Sequence, residues 1–139
     1  MRLLMIAAAL VLVAAKVSAE TLTVYTYDSF TAEWGPGPKL TELFEARCDC
    51  TLELVGLEDA VSILSRIRLE GPQTRADVAL GLDTSLIAEA QASHLFTEHG
   101  LDLSDLDVPG DFSNSQFVPY DHGFFAFVYD EKVIVDSLR

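Results

Sequence analysis

The residues best suited to chemistry lie where the first strand pattern of the chain ends. Thr23 to Tyr27 is a β-rich run, Asp28 follows it directly, and Trp34 comes just before a Gly/Pro-rich turn. Ligands of open α/β sheets bind at the carboxyl ends of the strands. Aromatic faces attract cations, and a carboxylate adds a full negative charge. This combination of residue types is therefore suited to holding a flat organic cation.

Each aromatic candidate also has a structural interpretation. Tyr27 is either the last residue of a buried strand or a ring that lines the crevice. Trp34 is either a lid over helix packing or a stacking platform for a ligand. Asp28 and Asp83 are more typical of turns and caps than of ligand sites.

Asp59 is the sharpest single candidate for a ligand contact. It immediately precedes a helix pattern that begins near Ala60, whose backbone N–H would be available to an oxygen or a phosphate. The same position suits an N-cap residue, and spacing alone favours the cap. A carboxylate has two oxygens, so one can cap the helix while the other binds a ligand.

Strand and helix patterns alternate along the first two thirds of the chain. Alternation of this kind predicts a mostly parallel sheet with helices on both faces. The turns that follow the three strands would then lie on one edge of the sheet and converge on one crevice. The strand patterns cover residues 22–27, 51–55 and 77–80, and the helix patterns begin near residue 38, cover 60–69, and begin near Asp83 or Thr84.

The pattern loosens after His94. Residues 98–115 are rich in Gly, Pro, Asn and Asp, which predicts a loop. The apolar and aromatic run at 123–130 then predicts a fully buried strand.

The amino terminus has the features of a cleavable export signal. Arg2 precedes an apolar run that is short for a membrane span, and small residues near Ala19 suit cleavage. We therefore expect residues 1–19 to be a signal peptide and residues 20–139 to form one exported domain with a core.

The chain is strongly acidic, with a formal net charge of -13 at pH 7. Such a charge disfavours nucleic acid, whose phosphates it would repel. It favours cationic ligands through electrostatic steering, although it also serves simply to keep an exported protein soluble.

Cys48 and Cys50 form a C-x-C pair. An oxidising compartment favours a disulfide between them. A metal site is the weaker alternative, since no further Cys or His stands at ligand spacing.

The sequence contains no catalytic signature. It has no nucleophile elbow, no P-loop and no H-E-x-x-H motif, and His94 and His99 miss the i, i+4 spacing of a helical metal pair. We therefore predict no catalytic residues, no bound metal and no cofactor.

Several segments together resemble one known family in order and spacing. The chain is similar to the periplasmic thiamine-binding proteins of bacterial ABC importers from about Leu22 to Lys132. The segments that carry this resemblance are Val24-Tyr25-Thr26-Tyr27-Asp28-Ser29-Phe30, Trp34-Gly35-Pro36-Gly37-Pro38, Leu57-Glu58-Asp59, Ala76-Asp77-Val78-Ala79-Leu80-Gly81-Leu82-Asp83, and Phe117-Val118-Pro119-Tyr120 through Phe127-Val128-Tyr129-Asp130.

The resemblance implies a two-lobe binding protein of type II fold with the ligand between its lobes. It implies that thiamine or its phosphates are bound in the periplasm by a monomer and passed to an inner-membrane ABC permease. The family's contacts carry over to Asp59 and Ala60, and less directly to Tyr27 and Trp34. Family members are more than twice as long, so this chain resembles most of lobe one only, ending near the crossover between lobes.

Such a partial lobe should leave an exposed sheet edge and apolar patches. We therefore expect the chain alone to bind thiamine weakly or not at all. A receptor for polyamine or ferric iron on the same fold is an alternative, as are an enzyme on this scaffold and a remnant that binds nothing.

Overall fold

The structure is a computed structural model that describes residues 19–110, 112–124 and 126–130. Its centre is a three-stranded sheet in the order β2-β1-β3, with both strand pairs parallel. The strands are β1 (Glu20–Tyr27), β2 (Cys50–Leu57) and β3 (Val78–Ala79), and the helices are α1 (Asp28–Thr31), α2 (Gly37–Glu45), α3 (Ala60–Glu70) and α4 (Ile87–Ala92). Residues 1–18 of the predicted signal peptide lie outside the described residues, and only its last residue, Ala19, is described.

The long β1–β2 pairing fixes where the turns of the sheet lie. Its register runs without a break from Glu20 opposite Cys50 to Tyr27 opposite Leu57. β3 joins the other side of β1, with Tyr25 opposite Ala79. Because all three strands point the same way, their carboxyl ends share one edge. The predicted parallel α/β architecture is thus confirmed.

The face of the sheet covered by α3 holds the main core. Tyr25 and Ile63 are almost fully buried and pack with Ile67. The predicted helix at 60–69 is confirmed, because Ala60 to Glu70 is helical and its Ile63, Leu64 and Ile67 positions are buried at helical spacing.

The opposite face carries α1 and α2. Phe30 of α1 is buried, and α2 lies so close to β2 that a Cβ on Gly37 would stand 2.9 Å from a methyl of Leu54. The outer side of α2 is less well covered, and Leu40, Leu43 and Phe44 are exposed. The expected apolar patch is therefore present on this face.

The predicted buried strand at 123–130 is wrong for the part of that run that the structure describes. Phe124 is 85 % exposed and Val128 is 96 % exposed, and no described residue from 117 onward belongs to a strand. An apolar run forms a buried strand only when a neighbouring strand and a covering layer are available. The nearest edge strand, β3, is only two residues long.

Two smaller features complete the scaffold. Cys48 and Cys50 form the predicted disulfide, between the end of α2 and the start of β2. Within the described residues, no helix combines the length and apolar character that a membrane span requires.

A polar network ties α3 to the centre of β1. Glu70 accepts a hydrogen bond from Arg66 Nε at 2.9 Å and one from Thr74 Oγ1 at 2.9 Å. The Tyr25 hydroxyl lies 3.1 and 3.0 Å from the two carboxylate oxygens and donates to them. These donors, Arg66 first, lower the pKa of Glu70 from 4.5 to about 2.

The lowered pKa predicts a pH-dependent contribution to stability. A carboxylate with a depressed pKa stabilises the folded state fully above its unfolded pKa, and this stabilisation fades as the pH falls towards the folded pKa. Glu70→Gln should therefore lower the free energy of unfolding at neutral pH, and the difference from the parent chain should shrink between pH 4.5 and about 2. Urea unfolding across this range measures it.

Glu42→Gln is the matched control for this experiment. Glu42 pairs only with Lys39 on the exposed surface of α2. It should show little effect at any pH, because exposed ion pairs contribute little. A Glu70→Gln effect that does not change with pH would contradict the charge-based account.

Candidate functional site

The site lies at the carboxyl edge of the sheet, where the turns after all three strands meet. Tyr27 ends β1 and caps the short helix α1. Its ring packs against the α3 core and meets the Phe30 ring edge-on, with 5.9 Å between ring centroids. Burial is the main cause that raises the pKa of its phenol. Tyr27 is thus half-buried and ends the strand, as one of its two interpretations predicts, while a ring that lines the crevice stays a prediction.

Two glycines, one near the end of β2 and one after β3, let the chain pack closely against Tyr27 and Asp28. A Cβ on Gly81, in the turn after β3, would stand 2.5 Å from the Tyr27 ring. A Cβ on Gly56, near the end of β2, would stand 2.5 Å from Asp28 Oδ1. Gly81 also has a φ of 106°, which L side chains rarely adopt. The three turns therefore share one edge of the sheet as predicted, and their lining of one ligand crevice stays a prediction.

Asp59 is the N-cap of α3. Its Oδ1 accepts a hydrogen bond from the Ser62 backbone N–H at 2.7 Å. This bond, with a weaker contribution from Val61, lowers the pKa of the Asp59 carboxyl, which is exposed. The capping role considered from the sequence is therefore present. A ligand contact through its second oxygen stays a prediction.

Ala60 is the first residue of α3. Among the described non-glycine residues only His94 has a positive φ, so Ala60 sits in an unstrained helical conformation. Its backbone N–H stands at the positive end of the helix dipole, where an anionic group is favoured. Binding of a ligand oxygen there also stays a prediction.

Trp34 lies in the loop between α1 and α2. Its side chain is 82 % exposed, so the interpretation as a lid over helix packing is wrong. The loop itself is ordered by a backbone hydrogen bond from Gly35 N–H to the Ala32 carbonyl at 2.8 Å. The interpretation as a stacking platform stays a prediction.

The loop that carries Tyr120 and Asp121 also reaches this edge, although the sequence analysis did not select these two residues for the site. The Tyr120 ring lies 6.0 Å from the Phe30 ring, edge-on. Asp121 follows Tyr120 directly, and its negative charge adds to burial in raising the pKa of Tyr27. No periodicity marks this loop. The available signal is that Tyr120-Asp121 repeats the dipeptide Tyr27-Asp28.

Two hollows accompany this loop region. The smaller, about 160 Å³, lies beside Tyr120 and Asp121 and is closed on its other side by residues 106–108. The larger, about 520 Å³, is formed by residues 98–104 and 112–115 and shares no lining residue with the sheet edge. The site thus extends from the three turns towards the smaller hollow.

Fold and site together define an α/β lobe with aromatic rings and carboxylates at the carboxyl edge of a parallel sheet. A solved structure described as a periplasmic thiamin binding protein matches the chain with a TM-score of 0.76 and 49 % identity. This match covers 88 % of the present chain and 38 % of that one. No family model matches the chain.

Curated relatives give the same result. The thiamine-binding periplasmic protein of Brucella suis biovar 1 (strain 1330) is 54 % identical over 113 residues, 81 % of this chain and 34 % of the relative. That of Escherichia coli (strain K12) is 54 % identical over 111 residues, 80 % of this chain and 34 % of the relative. The Haemophilus influenzae protein of the same name is 41 % identical over 133 residues, which are 94 % of this chain and 40 % of the relative. The resemblance seen in the sequence is confirmed, and the chain spans about a third of the length of the first two relatives.

Two substitutions at Asp59 test its contribution to stability as the N-cap of α3, independently of any ligand contact. Asp59→Ala removes the acceptor of the Ser62 N–H and should lower the free energy of unfolding. Asp59→Asn keeps an acceptor oxygen and should recover most of that loss. Urea unfolding of both variants measures the difference. Equal stabilities for the two variants would contradict a capping role.

The close approach of Gly81 to Tyr27 can be tested against a glycine in open space. Gly100 also has a positive φ, 63°, but a Cβ there would meet nothing within 4 Å. Gly100→Ala should therefore show only the backbone cost, about 1–2 kcal/mol. Gly81→Ala should destabilise more, because the methyl group also displaces the Tyr27 ring. Thermal unfolding of both variants measures this, and equal losses would contradict the packing of the two turns.

Proposed function

We propose that this chain is part of the thiamine-binding component of a periplasmic ABC import system. The observation that carries the proposal is the convergence of Tyr27, Asp28 and Asp59 at one sheet edge, in a chain 54 % identical to proteins named for thiamine binding. The proposed ligand is thiamine or one of its phosphates, and the proposed partner is an inner-membrane permease. The role is binding and delivery by a monomer, without catalysis, a metal or a cofactor.

The chemistry of the ligand fits the groups at the edge. Thiamine carries a permanently charged thiazolium ring, which suits aromatic faces and carboxylates. A phosphate on the ligand would suit the amino-terminal end of α3, where the Ala60 N–H begins the helix. The relatives extend well beyond the matched region, so the contacts available here would form one side of the ligand's surroundings.

Trp34 provides a direct probe of ligand binding, because it is the sole tryptophan of the chain. Thiamine should change its fluorescence in a saturable way, and spermidine should not, because a flexible polyamine has no flat ring to stack on an exposed indole. An equal or larger response to spermidine would favour the polyamine alternative.

The strength of binding by the chain alone is a separate prediction. One exposed edge buries little of a ligand that a pocket would enclose, so affinity should be weak. Calorimetry on the chain should find a dissociation constant far above the submicromolar range. Submicromolar binding would show that this segment holds a complete site.

A further inference from the structure

Three exposed carboxylates, Asp28, Asp59 and Asp121, belong to this edge, and their electrostatic surroundings differ. Asp28 lies in the first turn of α1, where backbone N–H groups partly offset its charge. Asp59 accepts the Ser62 N–H and stands at the positive end of α3, so its charge is already partly compensated. Asp121 is exposed, and none of the described residues forms a hydrogen bond or an ion pair with it. A carboxylate without such compensation attracts a cation more strongly than one that caps a helix.

The segment that carries Asp121 is seated on the site through aromatic contacts. Tyr120 meets Phe30, and Phe30 in turn meets Tyr27, at centroid distances of 6.0 and 5.9 Å. Asp121 also lines the hollow of about 160 Å³ beside this group of rings. The Tyr120 phenol and the Asp121 carboxylate therefore line one small space, next to the row of rings that leads through Phe30 to Tyr27. Asp107, which lines the same hollow, is the other acidic residue there.

We propose that Asp121 is the residue that selects for positive charge at this site, with Tyr27 and Tyr120 as its aromatic neighbours. Asp59 would then serve as a hydrogen-bond acceptor that does not discriminate by charge. The inference rests on the proposed function, because it assigns the part of that site that meets the cationic ring. The part of the ligand that lacks the cationic ring would gain nothing from Asp121.

The test compares a cationic ligand with a neutral one. Thiamine supplies the thiazolium, and its neutral pyrimidine half, 4-amino-5-hydroxymethyl-2-methylpyrimidine, lacks that charge. Both are titrated up to millimolar concentration into the chain, and binding is followed by NMR shifts of the Trp34 indole and of residues near Tyr27. Such shifts report weak binding, so high affinity is not required.

Asp121→Asn should lower the affinity for thiamine by about 1.4- to fivefold, the range expected for one exposed charge pair. It should leave the affinity for the pyrimidine unchanged. Asp105→Asn is the matched control, because it removes the same charge from an exposed residue of the preceding loop that lines neither hollow. It should leave both affinities unchanged. Asp59→Ala, which removes the acceptor oxygen, should weaken both ligands by a similar factor.

The outcomes separate this inference from the proposed function. Thiamine binding that responds equally to Asp121→Asn and Asp105→Asn overturns the role of Asp121 alone. A parent chain that gives a folded spectrum but no saturable shift with thiamine overturns the proposed function, and the role of Asp121 with it. Circular dichroism of each variant shows that an altered affinity does not reflect unfolding.

Discussion

The structure depends on the parallel pairing of β1 with β2 on one side and β3 on the other. Eight consecutive residue pairs join β1 to β2, and two join β1 to β3. Parallel strands cannot be linked by tight hairpins, so each crossover must travel back over a face of the sheet. The chain therefore returns three times to the same edge, and the candidate site is assembled from turns that are distant in the sequence.

Close packing at that edge is possible because two positions carry no side chain. Gly56 admits the Asp28 carboxylate, and Gly81 admits the Tyr27 ring. The rings of Tyr27, Phe30 and Tyr120 then form a continuous aromatic row. The acidic groups around this row are exposed, and the whole chain is negatively charged. The edge is electrostatically suited to a cationic ring, which is the property that the proposed function requires.

Most of the sheet and the α3 helix could be predicted from sequence, because short-range signals specify them. The β-rich composition of β1, the Asp59 cap and the spacing of Ile63 and Ile67 are all local patterns. The run at 123–130 could not be predicted in the same way, since an apolar run becomes a strand only if a long-range partner pairs with it. Asp121 was missed for a related reason, because a loop residue acquires its neighbours through tertiary contacts alone.

The central claim is that the turn after β3 closes on the last residue of β1 through Gly81. Nuclear Overhauser effects between the Tyr27 ring protons and the Gly81 α-protons test it most directly, because such effects vanish beyond short distances. The account predicts clear cross-peaks in the folded chain and their loss in urea. A folded, fully assigned chain without those cross-peaks would mean that the turns do not share an edge, and the candidate site would not exist.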